Sequence, residues 1–197
     1  MPSRGFTRGL PRISPPLRGS ELVDSGRAFL DESRRYVVEE YPTKIRACLE
    51  VLQDDDLWWR PNEQSNSIGN LLLHLAGNIR QWIVSGVGGA PDTRQRQAEF
   101  DERGPVAREE VLRRFDAALR DADAVFAGLT AASLDEARSI QGRQTTVLHA
   151  IYHVVEHFSM HTGQIIYLAK QRTARDLGFY RDAGGLAEPV WERRIRR

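Results

Sequence analysis

The sequence predicts an all-α protein built as a four-helix bundle. Four stretches repeat apolar residues at the three-to-four-residue spacing of an amphipathic helix, and connectors rich in glycine, proline and asparagine separate them. No stretch shows the alternation of apolar and polar residues that marks a half-buried strand. Packing four amphipathic helices around one core is the simplest way to bury their apolar faces, and 197 residues suffice for one such domain.

The first two predicted helices are separated by a connector that is rich in aspartate, tryptophan and asparagine. Residues 21–52 have apolar positions at helical spacing, interrupted by Pro42, which cannot donate a backbone hydrogen bond. The pattern fits one kinked helix or two helical segments in line. After the connector, Ser65 or Asn66 is expected to cap a second helix over residues 67–86, which a cluster of glycines ends.

The third and fourth predicted helices follow a long polar connector. Pro105 suits the first turn of a third helix over residues 106–129. Thr145 or Thr146 is expected to cap the fourth helix, which extends over residues 147–172. The length of the polar connector leaves open whether the helices follow a simple up-down order or include a crossover.

The two ends of the chain differ in composition from the predicted bundle. Residues 1–19 are expected to form a disordered basic tail, residues 20–178 the bundle, and residues 179–197 an irregular basic extension. The opening residues combine arginine, proline and glycine, and the closing residues are rich in turn formers and arginine. At the C-terminal end, irregular structure is expected, with a short terminal helix as the alternative.

The net charge of +1 conceals an uneven distribution of charged residues. Residues 1–20 contain four arginines and no acid, and residues 191–197 contain four arginines and one glutamate, which leaves 20 basic against 26 acidic side chains in residues 21–190. A nucleic-acid-binding domain carries its positive charge on the folded body. We therefore expect no nucleic-acid partner.

The sequence also predicts a cytoplasmic protein without a membrane partner. No apolar run approaches the roughly 20 residues that cross a bilayer. The first twenty residues lack the apolar stretch of a secretory signal. The single cysteine, Cys48, cannot form an internal disulfide, as is typical of a reducing compartment.

Four of the five histidines stand at four-residue intervals in HAIYHVVEHFSMHTGQ, residues 149–164. Because a helix turns about 100° per residue, this row winds around the predicted fourth helix. His161 lies roughly 70° from the centre of the apolar face and His157 roughly 110°, whereas His149 lies almost opposite. His157 and His161 are therefore predicted to face the bundle, and His149 to face solvent.

The fifth histidine, His74, lies within the apolar run LLLHLAGNIRQW of the second predicted helix. An ionisable group in such a run is costly to bury without a partner. With His157 and His161 it would supply three nitrogens from two helices, which is the ligand count of a catalytic zinc site with one open position. Taken singly, each histidine motif also fits polar residues at a helix edge.

Two histidine segments, considered together, point to a known family. One is NSIGNLLLHLAGN, residues 66–78, and the other is HVVEHFSMHTGQI, residues 153–165. The pair resembles the DinB-like (YfiT-like) metalloenzyme family, and the resemblance extends over roughly residues 20–175. It implies a four-helix bundle that binds a divalent metal through one histidine of the second helix and an HxxxH pair of the fourth. The implied ligands are His74, His157 and His161.

The resemblance also implies cofactors and supporting residues. Zinc or nickel is the first expectation for the metal, with iron, manganese and cobalt as alternatives, since all accept imidazole ligands. Characterised relatives include S-transferases and isomerases that use a low-molecular-weight thiol such as mycothiol or bacillithiol as co-substrate, and other relatives have been proposed as hydrolases. Asn78, His153 and Gln164 are candidates for orienting a ligand, a bound water or the substrate. The catalytic residues are otherwise unknown.

The resulting hypothesis is a metal-dependent thiol S-transferase or hydrolase that acts on a small molecule. Because no acid or base is evident beside the metal, a non-catalytic, stress-associated metal-binding scaffold is the alternative. A phosphorelay bundle that uses His149 is a further one. The family suggests a homodimer.

Overall fold

Four long helices pack around one apolar core, which confirms the predicted all-α four-helix bundle. The computed structural model describes residues 24–104 and 106–191, so the predicted tail of residues 1–19 and Pro105 lie outside the described residues. No helix of the described part combines the length and the apolarity needed to cross a membrane. Each bundle helix contributes large, fully buried side chains to the core, among them Ile45, Leu72, Phe115 and Phe158.

The first long helix is continuous across Pro42. It comprises α1 (Ser25–Arg34), a π-helical segment (Arg35–Glu40) and α2 (Tyr41–Glu50). A proline lacks the N–H that an α-helix directs four residues back, and the wider π turn immediately before Pro42 accommodates this loss. The interruption predicted from the sequence is therefore a local change of helical type between two segments in line.

The second bundle helix begins with α3 (Ile68–Ile79), and Ser67 caps it. The Ser67 hydroxyl accepts a hydrogen bond of 3.1 Å from the Asn70 backbone N–H, and Asn70 Oδ1 accepts one of 3.1 Å from the Ser67 backbone N–H. Only a residue three positions before Asn70 can form this reciprocal cap. The prediction of Ser65 or Asn66 as the cap is therefore wrong.

The polar connector after the second helix contains a short helix that the sequence does not predict. A π-helical segment (Arg80–Val87) ends the second helix, and α4 (Arg96–Asp101) then packs against α3. The Asn70 side-chain amide holds this segment by donating a hydrogen bond of 2.9 Å to the Glu99 carbonyl. Gly77 leaves the space that α4 needs, since a Cβ atom there would collide with the Glu99 carboxylate.

The third and fourth bundle helices are α5 (Arg108–Ala127) and α6 (Val147–Thr173). Between them lies an antiparallel hairpin of β1 (Ala137–Ile140) and β2 (Arg143–Thr146), whose second strand leads directly into α6. The expectation that the chain has no strands is therefore wrong at this place. Strands of four residues are too short for the alternation of apolar and polar residues to predict them reliably from the sequence.

A second hairpin lies in the C-terminal extension. It consists of β3 (Tyr180–Asp182) and β4 (Ala187–Pro189), and these strands lie mostly at the surface. The flanking side chains of Phe179 and Trp191 are buried and belong to the core cluster. The described part of the extension is thus attached to the bundle by aromatic packing at both of its ends.

Asp56 connects the first loop of the bundle to the last turn of its fourth helix. Its carboxylate accepts a hydrogen bond of 2.9 Å from the Gln53 backbone N–H and another from the Arg172 guanidinium of α6. Burial alone would raise the pKa of Asp56, but these two hydrogen bonds outweigh burial and hold the pKa below its ordinary value of 3.8.

Asp56→Asn is expected to lower the free energy of unfolding at pH 7 by about 1–2 kcal/mol, because it removes charge-assisted hydrogen bonds. A carboxyl whose pKa is depressed by folding stabilises the protein above its unfolded pKa, and this contribution is lost as the pH falls through the folded pKa. The difference between Asp56→Asn and wild type should therefore shrink below about pH 4. Urea unfolding at several pH values measures it. Asp55→Asn, at the exposed neighbour, is the control, and a difference that stayed constant with pH would contradict the prediction.

Thr146→Ala is expected to cost about 1 kcal/mol, because it removes the cap of the helix that carries four histidines. The Thr146 hydroxyl accepts a hydrogen bond of 3.2 Å from the His149 backbone N–H. The neighbouring Thr145 hydroxyl is buried and has no hydrogen-bond partner among the described residues. Thr145→Ala is therefore a matched control with a much smaller expected cost. Equal losses in urea unfolding would show that Thr146 is not the cap.

Candidate metal centre

Three histidines converge between α3 and α6. Nitrogen atoms that could bind a metal, one each from His74, His157 and His161, all lie within 4.8 Å of one another. Nε2 of His74 lies 3.0 Å from Nε2 of His157, and the ring centres of His74 and His161 are 5.1 Å apart. The structure therefore brings together the three residues that the sequence predicts as metal ligands.

This set of nitrogen donors suits a divalent ion. Two imidazole nitrogens on one tetrahedral ion lie about 3.4 Å apart, close to the 3.0 Å between the Nε2 atoms of His74 and His157. Metal binding requires the neutral ring. Burial and the neighbouring histidines lower the pKa of His157 to about 3, and burial lowers the pKa of His161. Both rings are thus neutral near pH 7.

His74 is held from behind by Glu99 of α4. Its Nδ1 atom lies 2.8 Å from Glu99 Oε2, and His74 is only 4% exposed. An ionised carboxylate can only accept a hydrogen bond, so Nδ1 of His74 carries the proton between them, and a His74 ring that binds a metal must do so through Nε2. Nε2 of His74 is then left with a lone pair that faces the other two histidines. A carboxylate that accepts from the far nitrogen in this way orients many metal-bound histidines.

Arg94 fixes the Glu99 carboxylate through two hydrogen bonds. Arg94 Nε donates to Oε1 at 2.7 Å and Nη2 donates to Oε2 at 2.8 Å. Burial alone would raise the pKa of Glu99, but the hydrogen bonds from Arg94 and His74 outweigh burial and lower it. Arg94 Nη2 also lies 3.1 Å from His74 Nδ1. Because a guanidinium has no acceptor atom, we assign the Nδ1 proton of His74 to Glu99 and not to Arg94.

The three predicted supporting residues take different places. Nδ1 of His161 lies 2.7 Å from Gln164 Oε1, so the amide oxygen can hold the proton on Nδ1 and leave Nε2 of His161 as the acceptor. Asn78 instead lies next to His153, with 3.4 Å between Asn78 Nδ2 and His153 Nε2. The His153 ring stacks on His157 at 5.5 Å and lies outside the group of three.

A cavity of about 340 Å³ opens beside His74 and His157, two of the three converging histidines. Its wall includes His74, His157 and the ring of Trp82. His149, which is exposed as its helical phase predicts, lies at the same cavity. A groove of about 460 Å³ on the far side of Glu99 has no histidine in its wall, so it offers no access to the three rings.

The sequence does not identify Glu99 and Arg94 as residues of the site. Both lie in the polar stretch that was expected to be only a connector, and no periodicity relates a short helix to a histidine of the preceding one. Gly77, three residues after His74, is the signal that could have found them. A glycine inside a helix costs about 0.5–1 kcal/mol relative to alanine and often marks the close approach of another segment.

Comparisons with known proteins agree with this architecture. A family model described as a protein of unknown function (DUF1572) matches residues 24–179. The crystal structure of a DinB-like protein, YjoA from Bacillus subtilis, superposes with a TM-score of 0.57 at 16% identity, covering 77% of this chain and 98% of that chain. No curated protein matches the sequence. The chain belongs to the DUF1572 family, and its four-helix bundle is DinB-like, as its two histidine segments predict.

Proposed function

We propose that this protein is a metal-dependent enzyme, a thiol S-transferase or a hydrolase, that acts on a small molecule through a divalent ion bound by His74, His157 and His161. One observation carries the proposal: three ring nitrogens from two helices lie within 4.8 Å of one another. Hydrogen-bond acceptors behind two of the rings support it further, because they direct the remaining nitrogens of those rings toward a common point.

A divalent ion held by these three histidines would supply Lewis acidity, which favours the deprotonated form of a water or a thiol at neutral pH. The role of the protein is to bind the ion without neutralising its positive charge. Imidazoles are neutral ligands, so three of them do not reduce the charge of the ion. Glu99 contributes its negative charge one hydrogen bond behind His74, where it holds the Nδ1 proton without occupying a coordination position.

The wall of the cavity supplies fewer groups for proton transfer than hydrolysis usually employs, and thiol transfer needs fewer of them. Among the described residues, no aspartate or glutamate lines it. Hydrolysis depends on a base that takes a proton from water and on an acid that delivers one to the leaving group. A thiolate needs no further base at the bond-forming step: its sulfur bonds to an electrophilic carbon as the bond from that carbon to a leaving group breaks, and the proton lost earlier by the thiol passes to a cavity histidine or to solvent. His149 and His153 are the proton acceptors that the cavity wall offers in either case.

His161→Ala is expected to abolish stoichiometric metal binding, because it removes one of three ligands. The measurement is elemental analysis of protein reconstituted with Zn²⁺ or Ni²⁺ and then desalted, and the wild type should hold one ion per chain. His149→Ala removes an exposed histidine of the same helix and should leave the metal content unchanged. The metal site is refuted if the wild type holds no ion, or if His161→Ala holds as much as the wild type.

Glu99→Gln is expected to weaken metal affinity about 10- to 100-fold while the fold is kept, since an amide holds the Nδ1 proton of His74 less strongly than a carboxylate. Gly77→Ala should act in the same direction by displacing Glu99 from α3. Competition with a chromophoric chelator measures the affinity. Asp101→Asn, on the exposed side of the same short helix, is the control, and a loss of affinity equal to that of Glu99→Gln would contradict the role of Glu99.

Catalysis is tested separately from metal binding. The metal-loaded protein should conjugate a low-molecular-weight thiol to an electrophilic acceptor, and His161→Ala should not. Ester and amide hydrolysis are assayed in parallel with the same preparations. A protein that holds its metal and is silent in all these assays would be a metal-binding scaffold, and the enzymatic part of the proposal would then be wrong.

A further inference from the structure

The cavity beside the histidines has a strongly basic wall. Three arginines line it, namely Arg94, Arg96 and Arg143, together with neutral amide, hydroxyl and aromatic side chains. No acidic side chain of the described residues lines it. This is the reverse of the folded body as a whole, because residues 21–190 contain 20 basic against 26 acidic side chains. The basic wall is therefore a local feature and not a consequence of overall composition.

Two of these arginines have no acidic partner. Arg94 is paired with Glu99, so its charge is compensated. Arg96 and Arg143 are exposed and form no ion pair within residues 24–104 and 106–191. The Arg96 guanidinium lies 4.8 Å from the centre of the Phe100 ring, which helps to hold it in place.

Arg96 and Arg143 differ from many other exposed arginines of this protein, which form ion pairs. Many exposed arginines pair with a carboxylate, and Arg27, Arg46 and Arg113 are examples. At the cavity, by contrast, one unpaired guanidinium comes from α4 and another from β2. Two separate elements therefore direct positive charge to one place, and a guanidinium pairs with carboxylate or phosphate oxygens through two parallel hydrogen bonds.

We infer that this cavity binds a small substrate that carries an oxyanion group, a carboxylate or a phosphate, with Arg96 and Arg143 contacting that group while the reactive end reaches the three histidines. The volume of about 340 Å³ is at the small end of ligand pockets and suits a metabolite-sized molecule. The inference rests on the proposed function, since it assigns the substrate class of the same site.

The first test uses Co²⁺-loaded protein and two thiols of matched size, 3-mercaptopropionate and its neutral amide. Binding is followed by the thiolate-to-Co²⁺ charge-transfer absorption. We expect the carboxylate to bind about tenfold more tightly than the amide, which is a typical effect of one charge-assisted contact. Arg96→Gln and Arg143→Gln should each reduce this ratio to about threefold, and the double variant should abolish it. Comparing the ratio across variants cancels the intrinsic difference between the two thiols.

Arg120→Gln is the matched control for charge. Arg120 is an exposed arginine of α5 that does not line the cavity, and its substitution should leave the ratio unchanged. A ratio near one in the wild type, or a ratio that neither cavity variant lowers, overturns the inference while the metal site stands. Failure of the wild type to hold Co²⁺ refutes the proposed metal site instead, so the two failures are distinguishable.

A second test does not depend on the metal. Metal-free, ¹⁵N-labelled protein is titrated with propionate and, separately, with inorganic phosphate, and the Nε–Hε signals of the arginines are recorded. The signals of Arg96 and Arg143, identified by their absence in the Gln variants, should shift with a saturating dependence on one of the anions. Preference for one anion over the other tells which oxyanion the cavity accepts. If neither signal shifts with either anion, the inference is wrong.

Discussion

The burial of His74 is the constraint on which the centre of this structure depends. An imidazole that is 4% exposed on an apolar helix must have both ring nitrogens satisfied. Glu99 accepts from Nδ1, but a partly buried carboxylate is costly in turn, and Arg94 compensates it through two hydrogen bonds. The other ring nitrogen faces His157. His74 therefore requires Glu99, and Glu99 requires Arg94. Nε2 of His74 is the ring nitrogen that remains to bind a ligand.

This requirement also explains the path of the chain after the second helix. The Asn70 side-chain oxygen Oδ1 accepts from the Ser67 backbone N–H and completes the cap of α3, while the side-chain nitrogen Nδ2 donates to the Glu99 backbone carbonyl. One side chain therefore couples the start of the helix that carries His74 to the segment that carries the partner of His74. Gly77 completes the arrangement by allowing that segment to lie directly on the helix. A stretch that looks like a polar connector is thus a structural support for the site.

The sequence predicts those parts of the protein that are encoded by a repeating pattern. Apolar periodicity predicts the four helices, and the phase of one row of histidines predicts that His161 is buried and His149 exposed. Features that depend on a contact between separate segments are not encoded in this way. The partnership of Glu99 with His74 is one case, and the short hairpin between α5 and α6 is another. Glycines inside a helix are the local signs of such contacts, because their cost there requires a reason in the tertiary structure. A Cβ atom at Gly77 would collide with Glu99, and one at Gly86 would collide with Ile140 of the hairpin.

The charge distribution around the histidines is consistent with a site built to keep a metal ion electrophilic. A carboxylate in direct contact with the ion would neutralise part of its charge and weaken its action on a bound water or thiol. The Glu99 carboxylate is instead placed behind His74, where it makes the ring a better donor and stays away from the cavity. Arg94 compensates that carboxylate, so the side chains facing the cavity are neutral or positive. The Glu99 carboxylate thus orients the His74 ring from outside the cavity. The cavity itself keeps a wall without acidic side chains of the described residues, which favours an anion.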